Sequence, residues 1–134
     1  MRIVLDTNVL VSGLLSLFGA PAQVVRLVAS GEVTLCFDGR ILSEYHEVLA
    51  RPRFGFHQDD VRAFLANLEA EGELVTALPL RVRLPDRDDE PFLEVALAGG
   101  AEHLVTGNVR HYPRPARAGM SVVSPRDFVD ALRV

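Results

Sequence analysis

Residues 2–6, RIVLD, decide the fold: a short apolar run that closes on a carboxylate reads as a buried strand ending at Asp6. Downstream, residues 20–30 (APAQVVRLVAS) carry helical spacing, and Gly31 supplies the stop. Residues 33–37 (VTLCF) read as a second strand. In ILSEYHEVLAR, the side chains of Ile41, Leu42, Tyr45, Val48 and Leu49 fall on one helical stripe. Arg51-Pro52 ends that helix, because a residue before proline avoids the helical region. Residues 58–71 repeat the helical spacing through Val61, Phe64, Leu65 and Leu68, and Leu74–Leu80 reads as a short strand and loop. Residues 89–99 form a largely buried helix with Pro91 in its first turn and Gly99 near its end. Strands follow at 103–106 and 121–123. Ser124-Pro125 then starts a last helix whose Phe128, Val129 and Leu132 are expected to face inward. Short apolar strands alternating with helices predict a parallel sheet covered on both faces, with ligands beyond the carboxyl ends of its strands.

The 134 residues are one ordinary domain, taken as 1–134. With 49% hydrophobic and 24% charged residues, the chain can bury a core and does not have a disordered composition. Its apolar runs, such as Ala63–Ala66 and Val95–Ala98, fall far short of the ~20 residues of a membrane helix, so no membrane partner is expected. The opening MRIVLDTN reads as a strand rather than a signal peptide. Cys36 is alone, which excludes an internal disulfide and a cysteine-built metal site, so a reducing, cytoplasmic setting is expected. A net charge of −4 argues against coating nucleic acid by bulk attraction but permits a local basic surface. All 14 basic residues are arginine.

The acids sit at the ends of these elements. Asp6 closes the first strand and is followed by Thr7-Asn8, at the ligand edge, although turns and caps also use aspartate. Glu44, three residues after Ile41 and four before Val48, lies at the margin of the buried stripe, while Glu47 points outward. A carboxylate there needs either a salt bridge, to Arg40 or Arg51, or a metal ion. PDRDDEPF places Asp86, Asp88, Asp89 and Glu90 at a helix start, where anionic side chains gain ~0.3–1 kcal/mol each. Capping accounts for one or two of them; mutual repulsion among four favours a cation. Asn108 follows the strand HLVT in the turn TGN. Oxygen ligands without histidine or cysteine suit Mg²⁺ or Mn²⁺, ions that activate water and stabilise a phosphoryl transition state.

The segments MRIVLDTNVLVSGLL, ILSEYHEVLARPRF, DRDDEPFLEVALAGGAEHLVTGN and VRHYPRPARAGMSVVSPRDFVDAL together resemble a PIN-domain protein, in particular the bacterial subgroup of toxins from toxin–antitoxin pairs. The resemblance implies an α/β fold: a three-layer α/β/α sandwich with a central, mainly parallel sheet. It further implies a metal-dependent ribonuclease whose products carry a 5′-phosphate and a 3′-hydroxyl. The family's first acid falls on Asp6 and its helix-borne glutamate on Glu44. Its third acid falls in DRDDEP, with Asp89 preferred and Asp86 and Asp88 remaining open. The fourth acidic position falls on Asn108, an amide that binds metal more weakly than a carboxylate and cannot act as a base. The catalytic set implied is therefore Asp6, Glu44, Asp89 and Asn108, with Asp6, Glu44, Asp89 and Asp86 as the metal-binding set for Mg²⁺ or Mn²⁺. Thr7 and Asn8 are expected to support Asp6, Thr7 through its hydroxyl, and to border the substrate. An antitoxin partner and a homodimer are also family expectations, with the helical hairpin over residues 40–72 as a candidate protein-binding surface.

The segment VRHYPRPAR directly after Asn108 offers Arg110, His111 and Arg114 for RNA phosphates, with Arg117 nearby and Tyr112 to stack on a base. His46, His57 and His103 lack ligand spacing. An aspartyl-phosphate phosphatase, another enzyme with a strand ending in aspartate, needs a second aspartate where Asn8 stands and a lysine the chain lacks. A binding module without catalysis is the remaining rival, kept open by Asn108.

Overall fold

In the computed structural model, residues 1–133 are described; Val134, the last residue of the expected domain, lies outside the described residues. The elements are β1 (Arg2–Leu5), α1 (Thr7–Leu15), α2 (Ala20–Ala29), β2 (Thr34–Phe37), α3 (Gly39–Leu49), α4 (Gln58–Glu71), β3 (Glu73–Leu74), α5 (Glu90–Ala98), β4 (His103–Val105), β5 (Val122–Val123) and α6 (Pro125–Leu132). All strand pairs are parallel, in the order β3-β2-β1-β4-β5. Ile3 stands opposite both Leu35 and His103, and Leu5 opposite Val105.

Connections from β1 to β2 to β3 travel one way across the sheet, and the connection from β3 to β4 returns past β1. Right-handed crossovers then place α1–α4 toward one face and α5 on the other. In agreement, α5 packs on β1, β2 and β4, while α2 packs on α1, α4 and α6. The result is the expected three-layer sandwich. β1 is the strand at which the order reverses, so the crevice beyond the ends of β1 and β4 is the natural ligand position. Ile3, Val4, Leu5, Leu104 and Val105 are fully buried, which is why these short strands carry no polar alternation.

The helix α1 is not legible in the sequence. β-branched Val9 and Val11 and the glycine at 13 lower its helical propensity. Packing overrides propensity here: a Cβ on Gly13 would lie 2.4 Å from Val25 Cγ2 and 2.7 Å from the Pro21 carbonyl oxygen. Gly13 is what lets α1 and α2 meet. One expectation needs correcting. Leu132 is 39% exposed rather than inward, because the last turn of α6 runs past the edge of the core that holds Phe128 and Val129. After Leu74 the chain continues as a loop, in line with the short strand and loop read for 74–80. The Leu80 and Leu84 amides donate to carboxylates on α5, Leu80 N–H to Glu94 Oε2 at 2.8 Å and Leu84 N–H to Glu90 Oε2 at 2.9 Å. Arg40 and Arg83 complete these clasps, each 2.7 Å from the other oxygen of Glu94 and Glu90 respectively.

Candidate active site

Asp6 sits at the junction of β1 and α1. Its N–H donates to the Val105 carbonyl at 2.9 Å, continuing the ladder with β4, while its own carbonyl accepts from Val9 N–H at 3.0 Å and starts α1. The side chain is buried and makes no cap bond. Its Oδ2 accepts from the hydroxyls of Thr106, at 2.9 Å, and Tyr112, at 3.0 Å. Thr106 in turn accepts from Asn108 N–H at 3.0 Å.

Glu44 is half-buried on α3, as its place at the stripe margin predicted, and Glu47 is exposed. Neither arginine considered as its partner reaches it: Arg40 pairs with Asp38 and Glu94, and Arg51 with Glu47. Glu44 Oε2 instead accepts the Thr7 hydroxyl. The expected bond from that hydroxyl to Asp6 is therefore not made, because Asp6 draws its hydroxyls from the β4 side. The next residue, Tyr45, fastens α3 to the end of β1 by donating its hydroxyl to the Leu5 carbonyl at 2.6 Å.

The four acids of DRDDE separate by role. Asp86 is exposed and caps the short 3-10 turn Arg87–Asp89, with Oδ1 accepting from Asp88 N–H at 2.9 Å. Asp88 is exposed, and Glu90 belongs to the clasp on Arg83 and Leu84. Asp89 is the inward one: it precedes α5 without capping it, and its Oδ2 is buried with no hydrogen-bond partner. His111 Nδ1 stands 3.3 Å from that oxygen, close enough for an ion pair when protonated but not oriented to donate a hydrogen bond.

Asp6, Glu44 and Asp89 feel one another. Burial pushes the carboxyl of Asp6 up, and the hydroxyls of Thr106 and Tyr112 and the Thr7 amide draw it back in part. Burial also raises Glu44, against the Thr7 hydroxyl, with the charges of Asp6, Asp88 and Glu47 adding to it. Asp89 is pushed up to about 6 by burial and by the charges of Asp6 and Asp86. Two carboxylates that each feel the charge of Asp6, one of them with an oxygen that accepts no hydrogen bond, fit a cation. Among the described residues, no three acids or histidines close into a ready-made cage. An ion that keeps several of its own waters, as Mg²⁺ does, matches that spacing better than a fully protein-ligated one.

Around this centre, Gly107 N–H donates to Asn8 Oδ1 at 3.0 Å, and a Cβ on Gly107 would lie 3.2 Å from that oxygen. Asn8 thus ties the turn after β4 to the start of α1. Asn108, Arg110, His111 and Arg114 are exposed, and Gly107 to His111 line a depression of about 420 Å³. Tyr112 does not offer its ring for stacking: it is wholly buried, with its hydroxyl on Asp6. Arg117 turns inward, its Nε 2.6 Å from the Tyr112 carbonyl. A larger apolar groove of about 440 Å³, between Leu78–Val82 and the end of α5, contains only one acid, Glu94, which is already paired.

Sequence reasoning missed Thr106 and Tyr112. Thr106 was accessible from register, since pairing Leu5 with Val105 sets Asp6 beside Thr106. Tyr112 gave no signal, because its burial depends on how residues 109–117 fold back.

No single helix among the described residues is long and apolar enough to cross a membrane. Among curated proteins, none matches the chain. The fold is similar to that in a crystal structure of VapBC2 from Rickettsia felis bound to a DNA fragment from its promoter, with a TM-score of 0.60 and 15% identity over 92% of this chain and 98% of that one. The family model described as "PIN domain" matches residues 2–110, from the first strand to the turn after Asn108, and the chain belongs to the PIN domain family.

Proposed function

We propose that the protein is a divalent-metal-dependent ribonuclease that hydrolyses RNA phosphodiester bonds and serves as the toxin of a toxin–antitoxin pair. PIN domains are generally nucleases. The observation that carries the reading here is the buried Asp89 Oδ2, which accepts no hydrogen bond and meets only His111, with Asp89 and Glu44 both under the charge of Asp6. Asp6, Glu44 and Asp89 would hold Mg²⁺ or Mn²⁺, with Asp86 adding negative charge from the rim. The ion supplies water activation and a counter-charge for the phosphoryl transition state. Asp6 is oriented by two neutral hydroxyls, which favour its anionic form in part against burial and bring no cancelling charge of their own. Arg110, His111 and Arg114 lie outside the acids and contact the phosphates of a strand entering over Gly107–His111. Asn108 orients the phosphate or a water at the mouth, and Thr7 and Asn8 brace the acids and the adjoining turn.

Purified protein with labelled RNA is expected to cleave with Mn²⁺ or Mg²⁺ and to stop with chelator. Cleavage that is indifferent to chelator would overturn the reading. The toxin assignment adds a cytoplasmic location, a homodimer and a small DNA-binding antitoxin encoded beside this chain; the VapBC2 complex is the precedent in fold. The rival, an RNA- or partner-binding module with weak or no catalysis, draws on Asn108 and on the open spacing of the carboxylates. Tight RNA binding with no metal-dependent cleavage would establish it.

A further inference from the structure

We infer that Tyr112 is a positioning residue that fixes the Asp6 carboxylate for the cation and couples it to the arginine-bearing loop. The inference rests on the proposed metal site and goes beyond it, since Tyr112 is outside the acidic set.

Tyr112 is a fully buried phenol in a segment whose neighbours Arg110, His111 and Arg114 are exposed. A buried hydroxyl without a partner is costly, and this one finds its partner in Asp6 Oδ2, at 3.0 Å. Thr106, at the end of β4, reaches the same oxygen at 2.9 Å. Two donors on one carboxylate oxygen hold the side chain in one orientation, and among the described residues no side chain hydrogen-bonds Oδ1. The choice of donor matters. An arginine at this place would cancel the charge that a cation needs, as Arg40 and Arg83 do for Glu94 and Glu90. A phenol orients the carboxylate and leaves it negative. Such outer partners of a metal-binding carboxylate are typically worth 10–100-fold in metal affinity or activity.

The second half of the inference is mechanical. The residue before Tyr112, His111, touches Asp89, so adjacent residues meet two of the three acids. Arg117 locks the segment by donating to the Tyr112 carbonyl at 2.6 Å and the Val109 carbonyl at 3.5 Å. Seating of the phenol therefore sets where Arg110 and Arg114 are presented.

Tyr112→Phe keeps the ring and removes only the hydroxyl. Mn²⁺ affinity, measured by calorimetry on the full chain, is expected to fall about 10-fold, with the thermal transition still cooperative. RNA binding in chelator is expected to stay within about 2-fold, because the ring still seats the loop, whereas Tyr112→Ala weakens it. A metal-free cycle of Y112F, D6A and the double variant reads the contact itself, with non-additivity of about 10-fold in the unfolding equilibrium. Additive effects, or a Y112F affinity for Mn²⁺ within about 2-fold of wild type, overturn the inference. If the wild-type chain takes up no Mn²⁺, the metal site fails instead, and the cycle alone still decides whether Tyr112 anchors Asp6.

Discussion

Two groups of acids, one on α5 and one around Asp6, meet opposite fates. Glu90 and Glu94 are 5% and 6% exposed, as deeply buried as Asp6 at 5%. Each of the two glutamates receives one arginine and one main-chain N–H, and each holds the stretch before α5 onto that helix. Asp6 and Glu44 receive only hydroxyls and amides on their side chains, and Asp89 has one oxygen with no hydrogen bond at all. Between Asp6 and the two glutamates burial is the same; neutralisation is not. The two glutamates are each neutralised by an arginine, whereas Asp6 and Glu44 form no ion pair among the described residues and Asp89 meets only the exposed His111. On the proposed function, that difference would separate carboxylates that hold the fold from carboxylates that hold a ligand.

The largest effect should come from cutting the second group. Asp6→Asn keeps the shape and accepts the same hydroxyls but removes the charge, and metal-dependent RNA cleavage should fall by about 10³-fold, equivalent to about 4 kcal/mol of barrier. Wild-type cleavage by this variant would end the distinction. The first group should behave in reverse. Glu94→Ala leaves the Leu80 amide and Arg40 without their shared acceptor, and should cost about 2–3 kcal/mol in denaturant unfolding, because half-exposed Arg40 recovers part of its hydration. Cleavage per folded molecule should be unchanged.

Asp89→Asn sharpens the contrast through stability. In the fold the Asp89 carboxyl is raised to about 6, from an ordinary value of 3.8. A raised acid contributes stability that is whole below about pH 4 and is lost as pH climbs through about 6. Asp6 and Glu44 are shifted in the same direction. The metal-free protein should therefore be more stable at pH 5 than at pH 7.5. Asp89→Asn should gain on the order of 1–2 kcal/mol at pH 7.5 and flatten that slope, while losing activity. Denaturant midpoints at the two pH values check this; a variant less stable than wild type at pH 7.5 would remove Asp89 from the repelling set.

Such a split between acids was only half legible in the sequence. Strand ends and the helical stripe placed Asp6 at the ligand edge and Glu44 at a margin, because period and punctuation are local properties. The apolar runs were short and continuous, so the parallel sheet followed from them. The fate of DRDDE was not local. Asp86 is used up locally by a turn amide, but Glu90 is taken by Arg83 and the Leu84 amide, and only the path of residues 75–84 over α5 decides this. α1 escaped for a related reason: its stability lies in the contact of Gly13 with Val25 and Pro21. Tyr112 looked like a surface aromatic because its neighbours are arginines and prolines, and its burial is settled by tertiary contacts alone.

The smallest effect expected concerns the cations that accompany the open acids. Arg40 and Arg83 lie on carboxylates, whereas Arg110 and Arg114 are exposed and form no ion pair among the described residues. If the first two are structural and the last two meet phosphate, replacing each pair should produce different salt dependences. Arg110→Ala with Arg114→Ala should weaken RNA binding several-fold at moderate salt. It should also lower the slope of log affinity against log salt by about 1–2, since each lost phosphate contact releases about one counterion fewer. Stability should stay within about 0.5 kcal/mol, as for other exposed positions without partners. Arg83→Ala should instead lower stability and leave the salt slope alone. An unchanged slope in the Arg110/Arg114 variant would mean that this loop merely offsets the acids beside it, and the strand path would have to be sought on another side of the sheet's carboxyl end.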